Sequence, residues 1–238
     1  MKSALIFILI AFQILLTNSK DKITFDKLLA NLKKDAKMKK MAIAGADIPE
    51  TLKTSRLAKD MKIGDSILIG NEEKIRKIAE EAEIDISDFQ IVNLNDRTEI
   101  SRYAVKLVHD GEADMYVKGN IETRDVLKAV LDNDIGLKVP DELISLVGVF
   151  EIDGKMKYLT DPSVIPYPGL KEKVQLIKNA VKFAESTGLK NPKVAAVAAI
   201  SMTNPRMPET MEAEQLSKMN DKGQIKDCIV EGWSRWST

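Results

Sequence analysis

Four short apolar runs in the first half of the chain, residues 41–44, 65–70, 89–94 and 115–117, each break at a polar or glycine-bearing turn and lead into helical periodicity. That alternation is the strongest constraint on the fold. Parallel strands need a crossover, and a helix is the usual one. Strand, turn and helix repeated in this way therefore predict an α/β fold with mainly parallel sheets and helices on both faces. The turns carry start signals for the helices. Pro49 behind Gly45-Ala46-Asp47 suits a first helical turn, and Asn71 is a cap followed by Glu72 and Glu73. Asp96 with Glu99 resembles a capping box. Ile75, Ile78, Ala79 and Ala82, and then Ile100, Tyr103, Ala104, Leu107 and Val108, recur at the spacing of a buried helix face.

The pattern changes near Gly136. Residues 143–152 and 156–159 read as two strands joined by Asp153-Gly154, a strong hairpin signal. A hairpin in such a chain marks a second domain or an antiparallel edge. Thr160-Asp161-Pro162, with Pro166 and Pro168 behind it, cannot be helical. It is either a stiff connector or a loop that presents Thr160 and Asp161 at a cleft. Residues 170–187 predict the clearest helix, with Gly188 just past its end. KVAAVAAI, residues 193–200, is a buried strand whose carboxyl end holds Ser201 and Asn204. Residues 206–219 read as a helix after Pro205, with Pro208 confining its regular start to near that point, and residues 225–230 read as a last strand. Residues 24–37 form an amphipathic helix ahead of all this, with Phe25, Leu28, Leu29 and Leu32 on one face. The expected division is a first α/β domain over 22–138 and part of a second over 139–232.

Both ends stand apart. Residues 1–19 combine a basic start, an apolar run broken only by Gln13, and Thr17-Asn18-Ser19. They fit a secretory leader and are too short for a stable membrane span. The alternatives are a buried or interfacial helix, or a misassigned start. Residues 233–238 form an atypical tail holding both tryptophans, which reads as an altered or truncated end.

Composition narrows the chemistry. The 36 basic and 36 acidic residues balance, and aromatics are only 5%, so neither a phosphate-tracking nor a base-stacking nucleic-acid surface is indicated. One cysteine and one histidine exclude an internal disulfide and leave too few ligands for an ordinary zinc site. Cys228 lies in an apolar run and reads as a small buried hydrophobe rather than a nucleophile. His109 ends a helix, facing solvent or the last carbonyls.

The sharpest site signal is ADMYVKGNIETRDVLKAVL, residues 113–131. Lys118, Gly119 and a helix opening near Thr123 meet at the carboxyl end of a strand, where ligands of open α/β sheets sit. A cation and free helix-opening amides there suit a phosphate or carboxylate. The plainer alternative makes Gly119 a positive-φ turn residue and Thr123 an N-cap. Neither a P-loop nor a GxGxxG turn is present.

This stretch, with LTDPSVIPYPGLKEKVQLIKNAV and NPKVAAVAAISMTNPRMPETMEAEQLSKMNDKGQIKDCIVEG, resembles the phosphate acetyltransferase and phosphate butyryltransferase family, from about Phe25 to Gly232. The last two stretches look more like the butyryl branch. The resemblance implies a two-domain architecture like that of isocitrate and isopropylmalate dehydrogenases, incomplete at the C-terminus in this chain. It implies transfer of a short acyl group, butyryl first, between coenzyme A and inorganic phosphate, with both as substrates and no bound cofactor or metal. Lys118, Gly119, Thr123, Thr160, Asp161, Ser201 and Asn204 are the substrate-binding candidates under it. The family's Ser-Arg segment followed by an Asp has no counterpart here, so no catalytic residue is carried over. A homo-oligomer in the cytoplasm is the implied setting, against secretion or membrane targeting through residues 1–19. The competing expectation is an inactive remnant that only binds CoA or phosphate, or only dimerises.

Overall fold

The computed structural model describes residues 13–17, 23–34, 38–198, 200 and 202–232. In chain order its elements begin with β1 (Gln13–Thr17), α1 (Phe25–Leu32), β2 (Lys39–Ala44), α2 (Pro49–Asp60), β3 (Gly64–Gly70), α3 (Glu72–Glu81), β4 (Gln90–Asn93) and α4 (Arg97–His109). They continue with β5 (Met115–Lys118), α5 (Thr123–Val130), β6 (Gly148–Ile152), β7 (Lys155–Thr160), α6 (Leu170–Ser186), β8 (Lys193–Val197), α7 (Pro208–Asp221) and β9 (Ile229–Gly232). By contact they fall into two compact units, one of Leu29–Pro140 and one of Asp141 onward together with residues up to Leu28.

The Leu29–Pro140 unit carries a parallel sheet of order β4-β3-β2-β5. Successive strand residues point to opposite faces, so a strand covered on both must be apolar throughout. β3 meets that condition, with Ile67, Leu68 and Ile69 essentially sealed from water. Burial of such a side chain is worth about 1.5–3 kcal/mol. Ile43 and Leu68 pack with Leu52 of α2 and Ile75 and Ala79 of α3. Ala42, Ala44, Ile67 and Ile69 face the other way, onto Ile100, Ala104 and Leu107 of α4. The expected caps form: Asn71 Oδ1 accepts from Lys74 N at 2.8 Å, and Asp96 Oδ1 from Glu99 N at 2.9 Å.

The second unit carries a mixed sheet of order β6-β7-β1-β8-β9. The pairs β6/β7, β7/β1 and β1/β8 are antiparallel, and β8/β9 is parallel. Asp153 and Gly154 join β6 to β7 with φ of 53° and 67°, the positive values a two-residue hairpin needs. α6 and α7 bury Leu176, Ile177, Ala180 and Leu216 against Ile14, Leu16, Tyr158 and Val194. Gly188, at φ +94°, closes α6 as its sequence position implied.

Several boundaries differ from those read in the sequence. Of residues 143–152 only Gly148–Ile152 joins the ladder. The stretch before it bonds to side chains instead: Leu143 O accepts from Asn179 Nδ2 at 2.8 Å, and Leu146 N donates to Asp161 Oδ2 at 2.8 Å. The last strand starts at Ile229 rather than 225, because Asn220 Nδ2 takes the carbonyls of Ile225 and Cys228, at 2.9 and 3.0 Å. Ile23 and Phe25, assigned by the sequence to the first domain, belong by contact to the second unit, where Ile23 packs against its core. Met156 N donates to Ile23 O at 3.0 Å, and Phe25 N to Glu151 Oε2 at 2.8 Å. Within the leader, residues 13–17 form β1, with Ile14 and Leu16 fully buried. Residues 1–12, 18–19 and the tail 233–238 lie outside the described residues. Among the described residues no helix is long and apolar enough to cross a membrane.

Candidate functional site

The carboxyl ends of β2, β3, β4 and β5 lie along one edge of the parallel sheet, and their loops are bonded to one another. After β5, Gly119 N donates to Ala44 O and Asn120 N to Gly45 O, both at 2.8 Å. The two glycines are needed for this contact. A Cβ on Gly119 would stand 2.2 Å from Gly45 O, and one on Gly45 2.7 Å from Asn120 O. Gly45 also has φ +73°, whereas the φ of Gly119 lies outside the left-handed region. Gly119 is therefore required by close approach, not by the turn conformation the sequence suggested.

Arg97, the first residue of α4, reaches across this edge. Its guanidinium forms a two-pronged bond to Asp47, Nη1 to Oδ1 and Nη2 to Oδ2, each 2.9 Å, and Nη1 also donates to Asn120 O at 2.6 Å. The Asp47 side chain is 5% exposed and that of Arg97 38%. Further along, Asn71 Nδ2 donates to Asn95 Oδ1 at 2.5 Å, and Asn93 Oδ1 accepts from Glu72 N at 3.1 Å. Arg97, Asn93 and Asn95 were missed by sequence reasoning, which among the first four strands followed only the end of β5. Gathering all four strand ends, as the carboxyl-end rule directs, would have found them.

The expected cation does meet a helix N-terminus, but of another helix. α5 opens with Glu122 at its N-cap, not Thr123, which is the first helical residue and is exposed. A glutamate there occupies the positive helix end with the protein's own charge. Lys118 instead shares a cavity of about 260 Å³ with the opening turn of α2, lined also by Ile43, Ile48, Glu50, Thr51 and Val117. α2 begins at Pro49 behind Ile48, with no side-chain cap. The Thr51 hydroxyl turns inward, to Ala46 O at 3.0 Å and Ile48 O at 2.8 Å. Lys118 is exposed and makes no ion pair among the described residues. The arrangement sets an ammonium beside a helix-opening turn and apolar walls, with the carboxylate of Glu50 in the same turn, so Lys118 is the cationic group of the cavity and the helix end already carries the protein's own charge.

The remaining candidates lie in the second unit. Thr160 and Asp161 are buried and tie the segment ahead of β6 to the turn that follows β7. Thr160 Oγ1 donates to Leu146 O at 2.9 Å, and Asp161 accepts from the amides of Leu146, Ser163 and Val164 at 2.7–2.8 Å. Asn204 Oδ1 accepts from Arg206 N at 2.9 Å, and its amide donates to Thr210 Oγ1 at 2.8 Å, just before α7. Ser201 lies outside the described residues. Cys228 is buried and its thiol is pushed up to about 11, chiefly by burial, which removes the thiolate a nucleophile needs. Among the described residues no cluster of His, Cys, Asp or Glu is arranged to hold a metal ion.

Known proteins resemble this chain in sequence and in fold. Residues 97–233 match the family described as "Phosphate acetyl/butaryl transferase". Over 211 residues the chain is 40% identical to the phosphate butyryltransferase of Clostridium acetobutylicum, a match covering 88% of this chain and 69% of that protein. It is 39% identical to the phosphate acetyltransferase of Thermotoga maritima, over 82% of this chain and 67% of that one. The crystal structure of a branched-chain phosphotransacylase from Enterococcus faecalis V583 superposes with a TM-score of 0.67 at 25% identity, over 82% of this chain and 68% of that one. The strand-end constellation thus stands on a phosphotransacylase scaffold, and the chain belongs to the phosphate acetyl/butyryl transferase family of acyltransferase enzymes.

Proposed function

We propose that this chain moves a short acyl group between coenzyme A and inorganic phosphate, with butyryl preferred over acetyl. The observation that carries the preference is the somewhat longer match to the Clostridium butyryltransferase than to the Thermotoga acetyltransferase. In the direction that consumes acyl-CoA, a phosphate oxygen attacks the thioester carbonyl. The tetrahedral oxyanion then collapses, the C–S bond breaks, and the CoA thiolate leaves and takes up a proton. The dominant demand on the protein is to hold negative charge in place, which oriented donors and cations meet without reorganising. Lys118, beside the opening turn of α2, is the residue proposed to hold phosphate. Gly119 and the Asp47–Arg97 pair keep its turn in place. Thr123 is proposed as a further substrate residue of the Leu29–Pro140 unit, and Thr160, Asp161, Ser201 and Asn204 as substrate residues of the second unit. Those of them with internal partners act by shaping their loops. A homo-oligomer in the cytoplasm goes with this reading.

The test is phosphate-dependent release of CoA from butyryl-CoA and acetyl-CoA by the purified chain. The expected result is turnover with a higher kcat/KM for butyryl-CoA. Lys118→Ala should raise the KM for phosphate about tenfold, the equivalent of about 1.4 kcal/mol of lost binding. Turnover that favours acetyl-CoA overturns the preference. Binding of CoA without turnover, from a cooperatively folded sample, overturns the catalytic reading and leaves a binding module.

A further inference from the structure

In the second unit one strand comes from far away in the sequence. β7 and β8 are linked through α6, yet they are not neighbours, because β1 lies between them. It is antiparallel to both, with Ile14, Leu15 and Leu16 opposite Thr160, Leu159 and Tyr158 on one side. On the other side residues 13–17 run opposite Val197 back to Lys193. Ile14 and Leu16 are sealed from water and join the cluster formed by Tyr158, Val194, Ile177 and Leu176.

We propose that the space between β7 and β8 is a strand-binding slot, built for an extended apolar segment and filled by Gln13–Thr17 of this chain. Neighbouring strands lie about 4.8 Å apart, so strands flanking a filled slot are separated by about 9.6 Å, well beyond N–H···O reach. β7 and β8 therefore cannot pair with each other unless the sheet closes up by a whole strand. With the slot vacant, both inner edges would carry unpaired backbone groups within a covered sheet, a costly state. The alternation also suits the slot. Residues 14 and 16 share one face of β1, and the burial of Ile14 and Leu16 turns that face toward the core under α6.

The same segment lies in the apolar run that reads as a targeting leader. The two fates exclude each other for any one molecule, because a strand held between β7 and β8 is not available to a membrane or a peptidase. Folding of the second unit thus competes with leader handling for residues 13–17. This inference does not depend on the acyl chemistry.

The test uses the full chain with a protease recognition sequence inserted after Ser19. After folding, the chain is cut and passed over a sizing column without denaturant. The expected result is that the released N-terminal peptide co-elutes with the body and separates only in denaturant. Immediate separation, with a body that keeps the melting midpoint of the uncut chain, overturns the proposal. The pair Ile14→Asp and Leu16→Asp, made together in the same cut chain, should speed loss of the peptide at least about tenfold, since such defects register mainly in dissociation. Unchanged retention of the substituted peptide overturns the proposal as well. Should the body aggregate once the peptide leaves, a synthetic peptide of residues 11–19 in excess is expected to keep it soluble, and the Asp-substituted peptide is not. Equal protection by both peptides, or by neither, counts against a specific slot.

Discussion

Gly119 and Gly45 show how little room the site edge leaves at the level of single residues. Their loops touch backbone to backbone, and a methyl group on Gly119 would fall 2.2 Å from one carbonyl oxygen and 2.9 Å from another. Neither atom is the far end of a flexible side chain, so the backbone itself must shift. Gly119→Ala should therefore cost about 3 kcal/mol, the upper range for overpacking, and displace Lys118 as well. Urea unfolding checks the first outcome, and the KM for phosphate the second. A stability change below about 0.5 kcal/mol would mean that the two loops part more readily than their packing indicates. Gly111 is the contrasting case. A Cβ there would meet no atom within 4 Å, but φ is +76°, so conformation and not contact demands glycine.

Between elements, the ion pair of Asp47 and Arg97 is the tie. It links the loop after β2 to the start of α4, and the shared bond to Asn120 O adds the loop after β5. The two partners are unequal, and the inequality makes a prediction. Removing Arg97 leaves a carboxylate that is 5% exposed without its counter-charge, whereas removing Asp47 leaves a guanidinium that water already reaches. Arg97→Ala is expected to cost about 3 kcal/mol, as breaking a buried pair does. Asp47→Ala should cost about 1.5 kcal/mol, the value of a charged hydrogen bond. Chemical denaturation of the two single variants and the double variant measures the difference. Equal costs would show that the burial of Asp47 does not set the energetics of the tie. A comparable device ends α7, where Asn220 bonds Ile225 O, Cys228 O and Val230 N and so decides where β9 begins.

For the molecule as a whole, Leu29–Pro140 has what an independent domain needs. Its parallel sheet is covered on both faces, by one apolar cluster under α2 and α3 and another under α4 and α5. Domains of roughly this size commonly fold alone when they own a core. The isolated fragment 29–140 should therefore unfold in a single cooperative transition, with calorimetry and far-UV circular dichroism agreeing on the midpoint. A broad, non-coincident transition would show that its core depends on the rest of the chain. No such independence is expected of residues 141–232 by themselves, because β1, the middle strand of their sheet, comes from residues 13–17.

Some of this was written in contiguous residues. The α/β class followed from the alternation of strand and helix periods. The starts of α3 and α4 followed from Asn71 and Asp96, and the hairpin from Asp153-Gly154, because caps and turns are formed by neighbours in the chain. Other features depend on partners far apart in sequence. Tertiary packing decided that α2 rather than α5 opens beside Lys118, and that Arg97 binds Asp47 across 50 positions. It also turned Thr160 and Asp161 inward onto Leu146, in the segment ahead of β6. The leader shows the division most plainly. Its apolar composition marked residues 13–17 for removal from water, but composition names no partner. Only the gap between β7 and β8, with backbone donors and acceptors on both sides, makes those residues the middle strand of a sheet.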